Sequence, residues 1–137
     1  MLPARYPAYI VVDRPEFKLF FYRHLRLAHT YPIAVGRQGL ETPGGLHHVL
    51  AKEVDPAWHV PHSAWAGALA GHVIPPDPED PLVARWMAID ELGDGIHGTN
   101  EPESIGSAAS HGCIRMLVPD VIALYRRAPL GTPVYVI

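Results

Sequence analysis

Through the first third of the chain, apolar and polar residues follow the short period of extended strands. Residues 9–13 (Tyr-Ile-Val-Val-Asp) and 17–22 (Phe-Lys-Leu-Phe-Phe-Tyr) are β-rich runs separated by the turn-like pair Arg14-Pro15, which predicts a hairpin. Residues 26–35 continue the same character. Pro32 cannot donate to a ladder and so places that stretch at an edge or a bulge. Gly36 and Gly39 end the run, and Thr42-Pro-Gly-Gly45 is a turn signal leading into a further strand over 47–54. Residues 55–83 are rich in Pro, His and Gly, with only 63–70 able to form a short helical turn. Loops of that length in a compact domain usually carry function, so this stretch reads as a surface excursion and a candidate substrate wall. Strand character resumes at 85–89 and 95–97.

One main helix is expected at about 119–127. Pro119 suits a first helical position, while Asp120 and the pair Arg126-Arg127 complement the two ends of the helix dipole. Val118, Val121, Ile122 and Tyr125 recur at helical spacing and predict one buried stripe. Pro129 stops the helix, and residues 131–137 read as a closing strand. With no internal repeat and no second domain visible, the expectation is a single mostly β domain over 1–137.

Composition narrows the class. Hydrophobic residues make up 48% and charged residues 18%, enough apolar surface to offset the entropy of ordering. The formal net charge of -3 argues against a nucleic-acid partner, whose signature would be a basic patch. Twelve glycines and 15 prolines favour short strands over long helices. No apolar run approaches the ~18 residues of a membrane span. Met1-Leu-Pro-Ala-Arg-Tyr lacks the charged and apolar regions of a signal peptide. A single cysteine forms no internal disulfide, which leaves one thiol to explain.

That thiol lies in Ser110-His-Gly-Cys-Ile-Arg115. Gly112 permits a substrate to approach the backbone amides around Cys113, and His111 and Arg115 add positive potential that favours thiolate. A cysteine nucleophile needs a base and a group that orients the base. His97, in Gly95-Ile-His-Gly-Thr-Asn100, is one candidate base; His111, two residues from Cys113 and on the same side of an extended segment, is its rival.

Taken together, Ile96-His-Gly-Thr, Ser104-Ile-Gly106 and Ser110-His-Gly-Cys-Ile-Arg-Met116 resemble the signature of the L,D-transpeptidase (YkuD) catalytic domain family. Tyr31-Pro-Ile-Ala-Val-Gly36, Thr42-Pro-Gly-Gly45 and Gly131-Thr-Pro-Val134 are similar to the family's other recurrent segments, in the same order and across nearly the whole chain. The resemblance implies a β-sandwich catalytic domain with a helix at one side. It implies Cys113 as nucleophile, His97 as general base and then acid, and the carbonyl of Gly98 as the group orienting His97. The amides of Gly112 and Cys113 would hold the oxyanion. Arg115 is a candidate for a substrate carboxylate, and Ser110 and His111 for supports of the turn. Arg85 and Trp86 follow Asp80-Pro-Leu-Val, where the family has Asn-Pro-Leu-Gly, and are candidate wall residues.

The implied reaction is acyl transfer on peptidoglycan stem tetrapeptides through a thioester. It would release D-alanine and cross-link third stem residues, or attach a wall-anchored lipoprotein. Hydrolysis of the same bond and a catalytically inactive wall-binding module are the alternatives within the fold. The family also implies acylation by carbapenem-type inhibitors and a place in the periplasm or cell wall, with no cofactor. A metal-binding alternative draws on His47, His48, His59, His62 and His72, but Pro61 prevents helical presentation and no Cys-x-x-Cys pair completes a zinc site.

Overall fold

The computed structural model describes residues 8–54, 58–59, 73–74, 83–110 and 112–137. The first hairpin forms as expected, from β1 (Ala8–Asp13) and β2 (Lys18–Arg23), with Ile10 paired to Phe21 and Val12 to Leu19. Alternation buries Ala8, Ile10, Val12, Leu19 and Phe21 on one face, while Tyr9 and Tyr22, directly opposite in register, stack on the other with centroids 4.8 Å apart. β2 turns into β3 (Arg26–Gly36) through His24 and Leu25, both at positive φ (51° and 65°). Hairpins of two residues demand that conformation, here met without glycine.

β3 is an interior strand, with β2 on one side and β10 (Ala108–Ser110) and β11 (Ile114–Met116) taking up its far end. Pro32 itself pairs with Lys18 of β2 on one side only, and its other side is an unpaired edge of β3, as its missing N–H requires. The β11 ladder begins at Ile33, one residue past the proline, and the irregularity in β2–β3 pairing falls at Phe21/Tyr22.

The stretch expected as one strand over 47–54 is two: β4 (Gly45–His48) pairs with β12 (Pro133–Val136), and β5 (Ala51–Val54) pairs with β8 (Val83–Ala88). Val49 and Leu50 make the crossing, their amides bonded to Thr132 O (2.9 Å) and Ala88 O (2.8 Å). Between β5 and β8, β6 (Trp58–His59) and β7 (Val73–Ile74) pair with each other; the expected helical turn at 63–70 and most of the 55–83 excursion lie outside the described residues.

With β9 (Gly95–Gly98), ten strands form one curled sheet in the order β4-β12-β1-β2-β3-β11-β9-β8-β5, β10 joining β3 off this path. A single core gathers Ile10, Leu19 and Phe21 from one half and Met87, Ile96, Ile114 and Met116 from the other. The helix α1 (Val118–Arg127) packs on β8 and β9. Its buried residues are Val121 and Leu124, followed by Ala128; Val118, Ile122 and Tyr125 of the expected stripe are only half-buried. The inward face is rotated toward Leu124 because the helix lies across two strands on one side, while Lys52 covers Tyr125, its Nζ 4.1 Å from the ring centroid and bonded to Tyr125 O at 2.6 Å.

Candidate active site

β9 and β11 run parallel, with Ile114 opposite Ile96, Arg115 opposite His97 and Met116 opposite Gly98. Ile96, Ile114 and Met116 are fully buried in the core, so alternation turns His97 and Arg115 to the other face. Cys113 immediately precedes β11 and falls on the Arg115 side by the same alternation. On the opposite flank, Trp86 of β8 is the register partner of His97, and the two rings lie 6.0 Å apart at 32°. Nucleophile candidate, base candidate and indole thus share one outer face of adjacent strands.

His97 is 3% exposed, and its Nδ1 lies 2.7 Å from Gly98 O. A carbonyl oxygen can only accept, so Nδ1 carries the proton in this bond and Nε2 is the basic nitrogen. Of the two histidine candidates, His97 is thus held with its tautomer defined; His111 lies outside the described residues.

Cys113 is half-buried, with Sγ 3.6 Å from Gly93 O. Burial pushes the thiol up to about 12; Asp94 and Asp90 push the same way, while the Gly95 amide and Arg115 pull it down. The resting group is therefore a thiol, and a base must remove its proton.

The turn before Cys113 is clamped by Ser110, which is 2% exposed. Its Oγ accepts from Gly112 N–H at 3.2 Å and donates to Cys113 O. The Gly112 amide, a candidate oxyanion donor, is thus already engaged. Gly112 itself has φ 120°, and a β-carbon there would stand 2.8 Å from Asp94 Oδ1. Arg115 Nη1 contacts Glu101 Oε2 at 3.4 Å and Ser104 Oγ at 3.3 Å, beside a 3-10 turn at Pro102–Ser104. Glu101 is well exposed, so this ion pair is weak and leaves the guanidinium exchangeable.

Arg85 is not brought to the site. Its guanidinium lies 5.4 Å from the Tyr125 ring of α1, on the sheet face opposite Trp86, and Nη1 donates to Ala84 O at 2.8 Å. A register irregularity between Val83 and Trp86, with Ala84 at φ 69°, sets which of the neighbouring side chains faces outward.

Three residues absent from the sequence expectations matter here. A β-carbon on Gly95 would stand 2.5 Å from the Trp86 ring and 2.6 Å from Met87 O, so only glycine lets the indole cross β9. Asp90 and Asp94 bracket Gly93 in the turn before β9, and the Asp94 amide donates to Asp90 Oδ1 at 3.0 Å. The signal available was a pair of aspartates four apart around a glycine, just ahead of Ile96-His-Gly. Among the described residues no group of three metal-ligating side chains converges, and His47 Nε2 is paired with Pro43 O at 3.1 Å; His62 and His72 lie outside them.

Comparison with known proteins adds the decisive observation: the model of the YkuD L,D-transpeptidase catalytic domain matches residues 7–136. The chain belongs to the L,D-transpeptidase family. It is 36% identical over 132 residues to YkuD of Bacillus licheniformis, named as an L,D-transpeptidase, covering 96% of this chain and 67% of that protein. Among solved structures, a mutant L,D-transpeptidase of Enterococcus faecium is 27% identical with a TM-score of 0.77, covering 96% of this chain and 50% of that one. The L,D-transpeptidase LdtMt1 in complex with imipenem shares the fold (TM-score 0.78, 18% identity, 96% of this chain and 59% of that one). The chain thus spans about half to two thirds of the length of these L,D-transpeptidases. No helix among its described residues is long and apolar enough to cross a membrane.

Proposed function

We propose that this L,D-transpeptidase domain is a cysteine acyltransferase acting on peptidoglycan stem tetrapeptides. The observation that carries the reading is the pairing of β9 with β11, which sets His97, its Nδ1 tied to Gly98 O, on the same face as the Cys113 side of the strand. His97 Nε2 takes the thiol proton as Cys113 Sγ attacks the carbonyl of the third stem residue. The Cys113 amide meets the developing oxyanion; the Gly112 amide joins it by exchanging its bond to Ser110 Oγ. The C–N bond to the terminal D-alanine then breaks, His97 gives its proton to the leaving amine, and a thioester remains on Cys113. The side-chain amine of a second stem attacks the thioester, returns a proton through His97 to sulfur, and forms the cross-link between third residues. The same thioester can take the amine of a wall-anchored lipoprotein. Arg115 is placed to receive a stem carboxylate in exchange for the exposed Glu101. Such substrates place the enzyme in the periplasm or cell wall. Carbapenems acylate Cys113 as the donor stem does.

The test is mass spectrometry of products and intact protein after incubation with a disaccharide-tetrapeptide, for wild type, Cys113→Ala and His97→Ala. Cross-linked dimer with loss of D-alanine, absent from both variants, is the expected result. Tripeptide alone would make the enzyme a hydrolase, and turnover by Cys113→Ala would overturn the assignment of the nucleophile.

A further inference from the structure

We propose that Asp94 is a positioning residue for Cys113: its carboxyl, lying against Gly112 in a turn tied by the Asp94 amide to Asp90, governs how readily the thiol gives up its proton. This rests on Cys113 as the reacting group, but it concerns residues outside the Cys-His-Gly machinery.

The turn from Asp90 to Asp94 is fixed from within. Asp90 Oδ1 accepts the amides of Leu92 (2.8 Å) and Asp94 (3.0 Å), and Asp94 O accepts the amide of Ile89 (3.0 Å). The turn touches the cysteine segment twice. Gly93, at φ 99°, presents its carbonyl to Cys113 Sγ at 3.6 Å, and Asp94 Oδ1 occupies the space that a Gly112 β-carbon would need. The Asp94 backbone is held at both its amide and its carbonyl, which keeps the carboxyl beside Gly112, and a charge on it acts on sulfur through a partly dehydrated path.

The charged groups facing this pair come from several elements. Cys113 and Arg115 face it from the β11 segment, Arg115 favouring thiolate and the two carboxyls opposing it. His47 of β4 acts on Asp90. Asp94 is pushed up to about 7, first by burial and then by its hydrogen bond with and repulsion from Asp90, which is itself held low. Below neutrality the pair holds one proton and one negative charge. Above neutrality a second charge appears beside Cys113 and opposes the thiolate further, so deprotonation leans still more on His97 at the moment of attack.

The test uses the sole cysteine as its own reporter. Intact wild type, Asp94→Asn and Asp90→Asn are treated with 4,4′-dithiodipyridine, an uncharged disulfide: the Cys113 thiolate attacks one sulfur, forming a mixed disulfide and releasing thiopyridone, which is read by absorbance. The rate ratio of Asp94→Asn to wild type is expected to be near one at about pH 5.5 and to rise to about tenfold at about pH 8.5, with its midpoint near that of Asp94. Asp90→Asn, which retains only the charge of Asp94, should give the same upward step, and it stands in if Asp94→Asn does not fold. A ratio constant across pH, whether one or larger, overturns the proposal, because a merely structural change would move all pH values alike. The readout needs no turnover. Cross-linking with a flat ratio would sink the Asp94 assignment alone, and a rising ratio in a protein that makes no cross-link would sink the transpeptidase mechanism alone.

Discussion

Gly112→Ala puts a methyl group where the structure leaves no room for it and where the backbone disfavours it. At φ 120° an L-residue is strained, an effect of about 1–3 kcal/mol. The new β-carbon would also stand 2.8 Å from Asp94 Oδ1, against an ordinary contact of about 3.4 Å or more, so Asp94 must leave its rotamer at about 0.5–1.5 kcal/mol. Together these give about 3 kcal/mol, which in a chain of this size lowers Tm by roughly 10 °C while leaving the protein folded at room temperature. The turn can also relieve the strain by shifting Cys113, in which case stability is partly kept and reactivity falls. Thermal unfolding followed by circular dichroism, alongside the rate of a carbapenem mass adduct on Cys113, measures both. The double variant Gly112→Ala/Asp94→Ser should recover the steric part, about 1 kcal/mol, and none of the backbone part. A single variant with Tm within about 2 °C of wild type and an unchanged acylation rate would refute the reasoning.

Ser110→Ala removes both the acceptor for Gly112 N–H and the donor to Cys113 O, leaving two buried backbone groups to find other partners; a loss of about 1–3 kcal/mol in denaturant unfolding is expected, together with slower acylation. Arg115→Ala should raise KM for the donor stem while changing stability by less than about 1 kcal/mol, since its ion pair is exposed. Arg85→Met, on the helix side of the sheet, should leave KM unchanged; a rise equal to that of Arg115→Ala would contradict its placement over Tyr125. The raised Asp94 makes the folded state the better proton binder. Its contribution is full below the ordinary carboxyl value of 3.8 and is lost as pH rises toward about 7. Tm of wild type should therefore fall relative to that of Asp94→Asn across that window, and parallel curves would remove Asp94 as the cause.

Local pattern revealed those parts of the molecule that local physics decides. The alternation of Ile10 and Val12 against Leu19 and Phe21 is a property of each strand, so the first hairpin could be read directly. The break at Val49-Leu50 could not, because its cause is a pair of partners, Thr132 and Ala88, that lie far along the chain. Arg85 and Trp86 are adjacent in sequence and equally plausible as wall residues; a register shift at Ala84 is what sends the indole to His97 and the guanidinium to Tyr125. At the site, the candidates Cys113, His97 and Gly98 could be picked out because the motifs that hold them are contiguous. The Asp90–Asp94 pair was not, since it approaches Cys113 only through the β9–β11 pairing.

The position of β1 bears on how the chain acquires its structure. It lies between β2, its neighbour in sequence, and β12, where Ile10 meets Val134 in parallel register, and Arg14 Nε reaches Ile137 O across 123 positions. Closing so long a segment raises the entropic barrier, so assembly should be slow compared with that of a helical protein of equal length. During synthesis β1 and β2 can pair early, but one edge of β1 stays open until Val134 has left the ribosome. For that interval the unpaired edge of β1 is exposed, and other nascent chains or a chaperone can reach it before β12 does.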